Sequence, residues 1–170
     1  MIQRQRRALD PGARCPIIAA MKNPVDHLSD LFAKKVPFAK LAQEFCSYLR
    51  KTFPHYNWVG IYMIEDGDTL VLKAWDGPQA TEHVRIPVGQ GICGLAAREE
   101  RSVVVDDVNK DPRYLQCFLR TRSEIVVPIF AKKKVVGEID IDGDKVGAYN
   151  ALDRVFLEWC AQRLGAAGVR

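Results

Sequence analysis

A cysteine and a glutamate lie close together in the stretch YLQCFLRTRSEIVVP, which covers residues 114–128. Cys117 lies in a polar segment flanked by arginines, and Glu124 opens an apolar run that predicts a strand. The thiolate is the nucleophilic form of cysteine, so a cysteine in a polar segment is a candidate for chemistry. Packing is the other interpretation, since free cysteine also behaves as a small apolar residue.

Carboxylates alternate with apolar residues along VVGEIDID at residues 135–142. In a strand, successive side chains point to opposite faces. One face is apolar and belongs against a core: Val135, Gly137, Ile139 and Ile141. The other face carries Val136, Glu138, Asp140 and Asp142. We predict that Glu138 faces solvent. Asp140 and Asp142 are predicted to face a ligand cavity, because aspartate is a poor strand former and the opposite face already supplies the core.

An aromatic pair lies on one face of the earlier run WVGIYMI at residues 58–64. Trp58, Gly60 and Tyr62 share that face, and the glycine leaves a gap between the two rings. Buried aromatic side chains belong to a core more often than to the wall of a ligand site. The alternation alone therefore leaves both interpretations open.

The remaining cysteines carry weaker signals. Cys93 lies where the glycine-rich turn of GQGICGLAAREE leads into a predicted helix, so the helix dipole could lower the pKa of its thiol. Cys46 and Cys160 fall on apolar helical stripes and are predicted to pack, and Cys15 is unassigned. None of the cysteines forms a C-x-x-C pair or lies near a histidine at ligand spacing. We therefore expect no metal site, no cofactor and no disulfide framework.

The elements that position these residues follow from apolar periodicity. Helices are predicted over residues 26–32, 38–52, from about 92, and over 151–164, and strands over 58–64, 69–75, 82–86, 102–108, 123–130 and 135–142. This order predicts an α+β domain in which a central antiparallel sheet carries the N- and C-terminal helices on one face. The crossover segments 76–101 and 106–122 then cover the other face and enclose a small-ligand pocket.

Composition limits the possible partners. The chain has 170 residues, 48% of them hydrophobic and 27% charged, which suits one domain. Four arginines and one aspartate in residues 1–20 carry +3 of the net charge of +4, and no basic stripe follows, so nucleic-acid binding is disfavoured. No apolar run reaches the length of a membrane span, and no signal peptide is evident. We predict a flexible tail over 1–20, one domain over 21–170, and a cytoplasmic location.

Four motifs in order resemble the free methionine-(R)-sulfoxide reductases: NWVGIY, RIPVGQGICGLAA, SEIVVPI and GEIDID. Those enzymes are built on a single GAF domain. The similarity covers roughly residues 56–153, and the ordered set is more specific than any one motif. The resemblance implies a GAF fold, thiol-dependent reduction of free L-methionine-(R)-sulfoxide to methionine, and a thioredoxin-like or small-thiol reductant. Isolated GAF domains often pair through their terminal helices, so a homodimer is also an expectation.

The resemblance also implies roles for individual residues. Cys117 lies six residues before Ser123, as the catalytic cysteine of the family does, and would attack the sulfoxide sulfur and become a sulfenic acid. Cys93 matches the cysteine of the family's VCG motif. The acids of the family are matched by Glu124, Asp140 and Asp142, and the aromatic residues that line its substrate site are matched by Trp58 and Tyr62. We assign Glu124 and Asp142, with Cys93, to the chemistry and Asp140 to substrate binding, although any of the three acids could protonate the departing oxygen.

His83 marks a departure from the family. The resolving cysteine of the motif CTRIP is replaced, since this chain reads HVRIP. We place His83 at the substrate site, where an imidazolium could lower the pKa of Cys117. Recycling of the sulfenic acid then falls to Cys93 or to an external thiol. Glu138 is a smaller departure, because the family usually has an apolar residue there.

Two other functions stay open at this point. A GAF domain can bind a small ligand without catalysis, and Cys93 with Cys117 could sense redox state without turnover. A cyclic nucleotide is disfavoured as the ligand because the region after the last strand reads DGDK, without the Asn-Lys pair typical of such domains. A bilin is disfavoured because the cysteine context differs.

Overall fold

The helices and strands follow one another in the order that the sequence predicts. The structure is a computed structural model, and it describes residues 22–168. The predicted tail over residues 1–20 lies outside them. The helices are α1 Lys22–Ala33, α2 Phe38–Thr52, α3 Gly91–Glu99 and α4 Ala151–Gly168. The strands are β1 Trp58–Glu65, β2 Thr69–Asp76, β3 Arg85–Pro87, β4 Val103–Val105, β5 Ser123–Ala131 and β6 Lys134–Gly143.

The strands form one antiparallel sheet in the order β3-β2-β1-β6-β5-β4. The hairpin between β1 and β2 turns through Asp66, Gly67 and Asp68, and the first two have left-handed φ angles of 54° and 87°. The Asp-Gly pair predicted this turn, because the glycine takes positive φ without a steric cost. The antiparallel sheet that the sequence predicts is therefore confirmed.

Each face of the sheet packs against different elements. The terminal helices α1, α2 and α4 cover one face, which we call the helix side, with apolar residues of β5 and β6 beneath them. On the other face, which we call the carboxyl side, α3 and the loop residues Tyr114, Leu115 and Phe118 pack over Trp58 and Tyr62. The crossover segments thus cover the sheet opposite the helices, as predicted.

The alternation along β6 holds only from Gly137 onward. Ile139 and Ile141 pack on the helix side as predicted. Val136 also packs on the helix side, and Val135 packs on the carboxyl side, which is the reverse of the prediction. The reason is a register shift between Ile129 and Phe130 of β5, because Gly137 pairs with the first and Val135 with the second. Val136 is the extra residue and forms a β-bulge, which reverses the sides of the sheet that Val135 and Val136 occupy.

Two strands are shorter than predicted. The strand expected over 82–86 begins only at Arg85, and the one expected over 102–108 ends at Val105. Val105 pairs with Glu124 at the start of β5, so the chain beyond it has few remaining sheet partners. It turns instead into a 3₁₀ helix at Val108–Lys110, which begins where a side-chain oxygen of Asp107 accepts the backbone N–H of Asn109. Within residues 22–168, no helix has both the length and the apolar character needed to cross a bilayer.

Candidate active site

Four carboxyl groups are buried on the carboxyl side of the sheet. Their exposed fractions are 4% for Glu124, 0% for Glu138, 2% for Asp140 and 2% for Asp142. Three alternate along β6, and Glu124 of β5 pairs directly with Asp142. The prediction that Glu138 faces solvent is wrong, because α3 covers this part of the sheet and excludes water from it. A strand pattern of three acids cannot show that a segment distant in sequence covers them.

Most oxygens of the β6 acids lack a hydrogen-bond partner. Both oxygens of Glu138, both of Asp142 and one of Asp140 are buried without one in the described structure. Leaving a buried acceptor unpaired costs about 1–3 kcal/mol, and more when the group is charged. Native proteins rarely keep such groups without a reason. The arrangement is typical of a site whose donors arrive with a ligand.

Burial is the main influence on the ionisation of these acids. It raises the pKa of all four carboxyls, since a charged form loses its hydration. For Asp140 the pKa is raised to about 7. For Glu124 and Asp142, the charge of neighbouring acids raises the pKa further, with Asp140 the largest contributor. The cluster can therefore hold protons near neutral pH and can donate them.

Cys93 faces these acids from the first turn of α3. Its Sγ lies 3.8 Å from an oxygen of Glu124, and the thiol is buried. The predicted lowering of its pKa by the helix dipole is wrong. Burial raises the pKa of the thiol, and Asp140 and Glu138 raise it further. Gly94 permits this position, because a Cβ there would lie 2.5 Å from the carbonyl oxygen of Pro87.

Cys117 reaches the same acids from the loop between the 3₁₀ helix and β5. Its thiol is half-buried and lies 3.4 Å from the carbonyl oxygen of Leu115, and its backbone N–H donates to the hydroxyl of Tyr114 at 3.3 Å. Burial raises the pKa of this thiol, followed by the charges of Asp140 and Asp142. The structure thus brings two thiols from separate segments to one set of carboxyls.

The predicted aromatic residues lie beside the acid row, which is our name for Glu138, Asp140 and Asp142 of β6 with Glu124 of β5. Trp58 pairs across the sheet with Asp142, and Tyr62 pairs with Glu138. The gap expected at Gly60 is filled by the indole of Trp58 itself, because a Cβ at Gly60 would lie 2.3 Å from that ring. The indole nitrogen is buried and unpartnered and lies near Gly77, so Trp58 has one free N–H donor.

His83 lies beside the Cys117 loop rather than among the acids. Its Nε2 is 3.3 Å from the carbonyl oxygen of Gln116, and its own carbonyl oxygen accepts the hydroxyl of Tyr62 at 2.9 Å. The ring is half-buried. The charges that act on the Cys117 thiol are those of carboxyls, and they raise its pKa. The expectation that His83 lowers this pKa stays a prediction.

Sequence reasoning missed two polar residues beside Cys117. Thr81 is buried, and its hydroxyl partly offsets the raised pKa of the Cys117 thiol. Tyr114 holds the Cys117 backbone, and the charge of Asp142 adds to the burial that raises the pKa of its hydroxyl. Both lie in irregular crossover segments, where no periodicity indicates which side chains point inward.

The four acids lie beneath covering segments in this structure. Two surface hollows, of about 410 and 300 Å³, lie elsewhere. The first is bordered by the loop between α1 and α2 and by the end of α4, and the second by β5 and α4. Neither is lined by one of the four buried acids or by the two thiols.

The comparisons with known proteins agree with this geometry. Residues 36–167 match the GAF domain family. The chain is 34% identical over 103 residues to "GAF domain-containing protein A" of Dictyostelium discoideum, and this match covers 61% of the chain and 64% of that relative, which is under two thirds of its length. It is 34% identical over 134 residues to "Free methionine-R-sulfoxide reductase" of Escherichia coli, and 79% of each chain is covered.

Two solved structures are similar to the whole domain. A type II free methionine-R-sulfoxide reductase from Thermoplasma acidophilum is 39% identical with a TM-score of 0.73, and the match covers 78% of this chain and 95% of that one. The free methionine-R-sulfoxide reductase of Neisseria meningitidis in complex with its substrate is 29% identical with a TM-score of 0.83, and 95% of each chain is covered.

Proposed function

The chain belongs to the GAF domain family, and we propose that it is an oxidoreductase that reduces free L-methionine-(R)-sulfoxide to methionine with thiols as the electron source. Relatives and structural neighbours that carry this activity in their names support the proposal. The observation that carries it is the convergence of two thiols on buried, unpartnered carboxyls. A thiol supplies the reduction and a carboxyl the proton, which are the two groups that sulfoxide reduction requires.

The acids provide the recognition of a free amino acid. An ammonium group brings one positive charge and three N–H donors. It can pair with the unpartnered oxygens of Asp140 and Asp142, which lie near Cys117. Trp58 and Tyr62 flank the row and pack against the apolar part of the substrate, and the free indole N–H can donate to one of its oxygens. A peptide-bound methionine lacks the free ammonium group, so the site selects the free amino acid.

Cys117 carries out the reductive step. Its sulfur attacks the substrate sulfur while a neutral carboxyl protonates the sulfoxide oxygen, and the thiol proton returns to the carboxyl cluster. The oxygen then moves to the Cys117 sulfur: a Cys117 S–O bond forms as the substrate S–O bond and the transient S–S bond break, which leaves methionine and a sulfenic acid on Cys117. The substrate sulfur gains two electrons and the Cys117 sulfur loses two. The raised pKa values of Glu124 and Asp142 keep such a neutral carboxyl available near pH 7.

Cys93 is the proposed resolving thiol. It attacks the sulfenic sulfur of Cys117, a disulfide forms, and the hydroxyl group leaves as water. The carboxyl of Glu124, 3.8 Å from the Cys93 sulfur, can take the thiol proton and pass it to the leaving hydroxyl. A thioredoxin-like protein or a small thiol then reduces the disulfide. His83 takes no part in this step because it carries no thiol.

Turnover of the free sulfoxide tests the proposal. Wild-type protein is incubated with dithiothreitol and either the (R) or the (S) epimer of free L-methionine sulfoxide, and methionine is quantified. We expect methionine from the (R) epimer, little from the (S) epimer, and none with Cys117→Ser. Cys160→Ala is the matched control, because this thiol is buried on the helix side. Equal activity of wild type and Cys117→Ser would overturn the proposal.

A redox sensor without turnover is the second candidate. The nearness of the two thiols favours it, because Cys117 lies close enough to act on the Cys93 thiol. In that case peroxide converts the two thiols to a disulfide, and the free sulfoxide yields no methionine. The turnover experiment distinguishes the two functions directly.

A further inference from the structure

The buried carboxyls offer more acceptors than one amino acid can satisfy. Five of their oxygens lie buried without a partner, on Glu138, Asp140 and Asp142. The ammonium group of the proposed substrate has only three N–H donors. At least two acceptors therefore stay unpaired when it is bound. Glu138 is the residue in surplus, because it is fully buried and both of its oxygens are free.

The acid row has two ends, each with its own thiol. Asp140, Glu138 and Glu124 are the carboxyls whose charges act on Cys93. For Cys117 they are Asp140, Asp142 and Glu124. Glu138 thus belongs to the Cys93 end, and Asp142 belongs to the Cys117 end. Across the sheet Glu138 pairs with Tyr62, whose hydroxyl donates to the His83 carbonyl oxygen and not to Glu138.

We propose that the Cys93 end binds a divalent metal ion of the zinc class through Cys93 Sγ and carboxylate oxygens of Glu124, Asp140 and Glu138. The Cys93 sulfur and one oxygen each of Glu124 and Asp140 already lie within 4.8 Å of one another. Around tetrahedral zinc, with bonds of about 2.0–2.3 Å, neighbouring ligand atoms are about 3.5 Å apart. A contraction of at most about 1.3 Å closes this three-ligand set. Glu138, whose carboxyl interacts with the Cys93 thiol, is assigned as the fourth ligand.

The ligand types select the class of metal. Calcium and magnesium prefer an all-oxygen shell, whereas a thiolate favours zinc and its softer neighbours. A divalent ion also neutralises buried carboxylates that otherwise have only protons as counter-ions. Cys93 must release its thiol proton to bind, so binding liberates a proton. The four ligands come from α3, β5 and β6, which is why no short spacing in the sequence indicated a metal site.

This inference does not depend on the proposed reductase activity, but it has a consequence for it. A metal-bound Cys93 cannot attack a sulfenic acid on Cys117. The ion would therefore block recycling, and it would also compete with the substrate, because it occupies Asp140 and Glu124. A metal ion at this end would act as an inhibitor that competes with resolution rather than as a cofactor.

Cobalt(II) titration of the substrate-free protein tests the site. The thiols are first reduced with a phosphine that is then removed under anaerobic conditions, because dithiothreitol itself binds metals. We expect one cobalt ion to bind with a thiolate-to-cobalt charge-transfer band in the near ultraviolet, and zinc to displace it. Cys93→Ser should remove the band, whereas Cys117→Ser should keep it. Absence of the band in wild type, or its persistence in Cys93→Ser, would overturn the proposal.

Substitution of Glu138 tests the proposed ligand set more strictly than substitution of the cysteines. Glu138→Leu should weaken zinc binding by more than the roughly 10- to 100-fold that loss of an outer-shell partner costs, because a direct ligand is removed. Asp144→Asn, an exposed acid just beyond β6, controls for the loss of one negative charge and should bind normally. Glu138→Gln provides the same comparison if the leucine variant does not fold. Unchanged affinity in a folded Glu138 variant refutes the ligand set. Methionine formation in a single turnover with a chelator present tests the reductase separately.

Discussion

Two aspartates, one on each side of the sheet, are equally buried and entirely different in their surroundings. Asp153, on the helix side, has an exposed fraction of 5%, and one of its oxygens accepts from the hydroxyl of Tyr56 while also contacting the imidazole of His55, both at 2.8 Å. Its other oxygen accepts the backbone N–H of Asn150 at the start of α4. Asp142, on the carboxyl side, has no partner for either oxygen. One acid completes its own hydrogen bonds and fixes a helix, and the other is available to a ligand.

The difference indicates that the helix side stabilises the fold and that the carboxyl side serves function. On the helix side, apolar residues of β5 and β6 pack against the terminal helices, which is a stabilising arrangement. On the carboxyl side, the same strands bury four acids at a cost in stability. Natural proteins keep such costs mainly where a function requires them. The comparison therefore predicts that stability and activity respond to different substitutions on the two faces.

The largest expected effect is on activity at Asp142. Asp142→Asn removes both a proton donor and a partner for the substrate ammonium, so we expect a loss of about 10²- to 10⁴-fold in kcat/KM. Stability should stay unchanged or rise, because the amide carries no charge to desolvate. Steady-state kinetics and urea unfolding measure the two quantities on one sample. Wild-type activity in this variant would show that the unpartnered acid has no role.

The matched substitution on the helix side is Asp153→Asn. Here we expect the free energy of unfolding to fall by about 1–3 kcal/mol, because one carboxylate oxygen that accepts hydrogen bonds becomes a donor group. The kcat/KM of the folded protein should remain that of wild type. Urea unfolding with the same kinetic assay provides the measurement. A variant that is as stable as wild type but inactive would reverse the assignment of the two faces.

The pH dependence of stability sharpens the contrast. Burial raises the carboxyl pKa values on the carboxyl side, so between about pH 4 and the folded-state pKa the folded protein binds more protons than the unfolded chain. The free energy of unfolding should then fall as pH rises. The contribution of Asp140 should be lost around its folded-state pKa of about 7. Urea unfolding at several pH values, with a chelator present, should show a shallower fall for Asp142→Asn than for wild type. Parallel curves for the two proteins would contradict this.

The smallest expected effect concerns recycling. His83→Cys places a thiol beside the Cys117 loop, where the structure puts the His83 ring near Gln116. We expect a several-fold gain in thioredoxin-dependent turnover and no change in turnover with dithiothreitol. Cys93→Ser should slow multiple turnover but spare the first. If His83→Cys brings no gain while dithiothreitol-driven activity is intact, the missing cysteine does not limit recycling.

The fold could be predicted from the sequence where local patterns decide it. Alternation assigned Ile139 and Ile141 to the helix side, and the Asp-Gly pair placed the hairpin turn. The bulge that exchanges Val135 and Val136 has no local signal, because it depends on how β5 pairs with β6. Register is a property of two strands, whereas alternation is a property of one.

The site was less accessible to sequence reasoning because burial depends on distant segments. The alternation along β6 predicts that Glu138 faces solvent, because nothing within β6 shows that α3 covers it. The pKa of Cys93 was expected to fall, but a helix dipole contributes only about 0.3–1 kcal/mol at an exposed position, and burial beside carboxyls outweighs it. The role of Cys117 came from a resemblance between motifs, not from the polarity of its loop.

The fate of the sulfoxide oxygen is the strictest test of Cys117 as the nucleophile. Cys93→Ser protein is mixed with one equivalent of free L-methionine-(R)-sulfoxide labelled with heavy oxygen, and the peptide that contains Cys117 is examined by mass spectrometry. We predict one equivalent of methionine and one labelled oxygen atom on the Cys117 sulfur. In a parallel sample, dimedone should convert this sulfenic acid to a thioether on Cys117 and release the label as water. Methionine formed without oxygen on Cys117, or label found on another cysteine, would contradict the assignment of the carboxyl side as the active site.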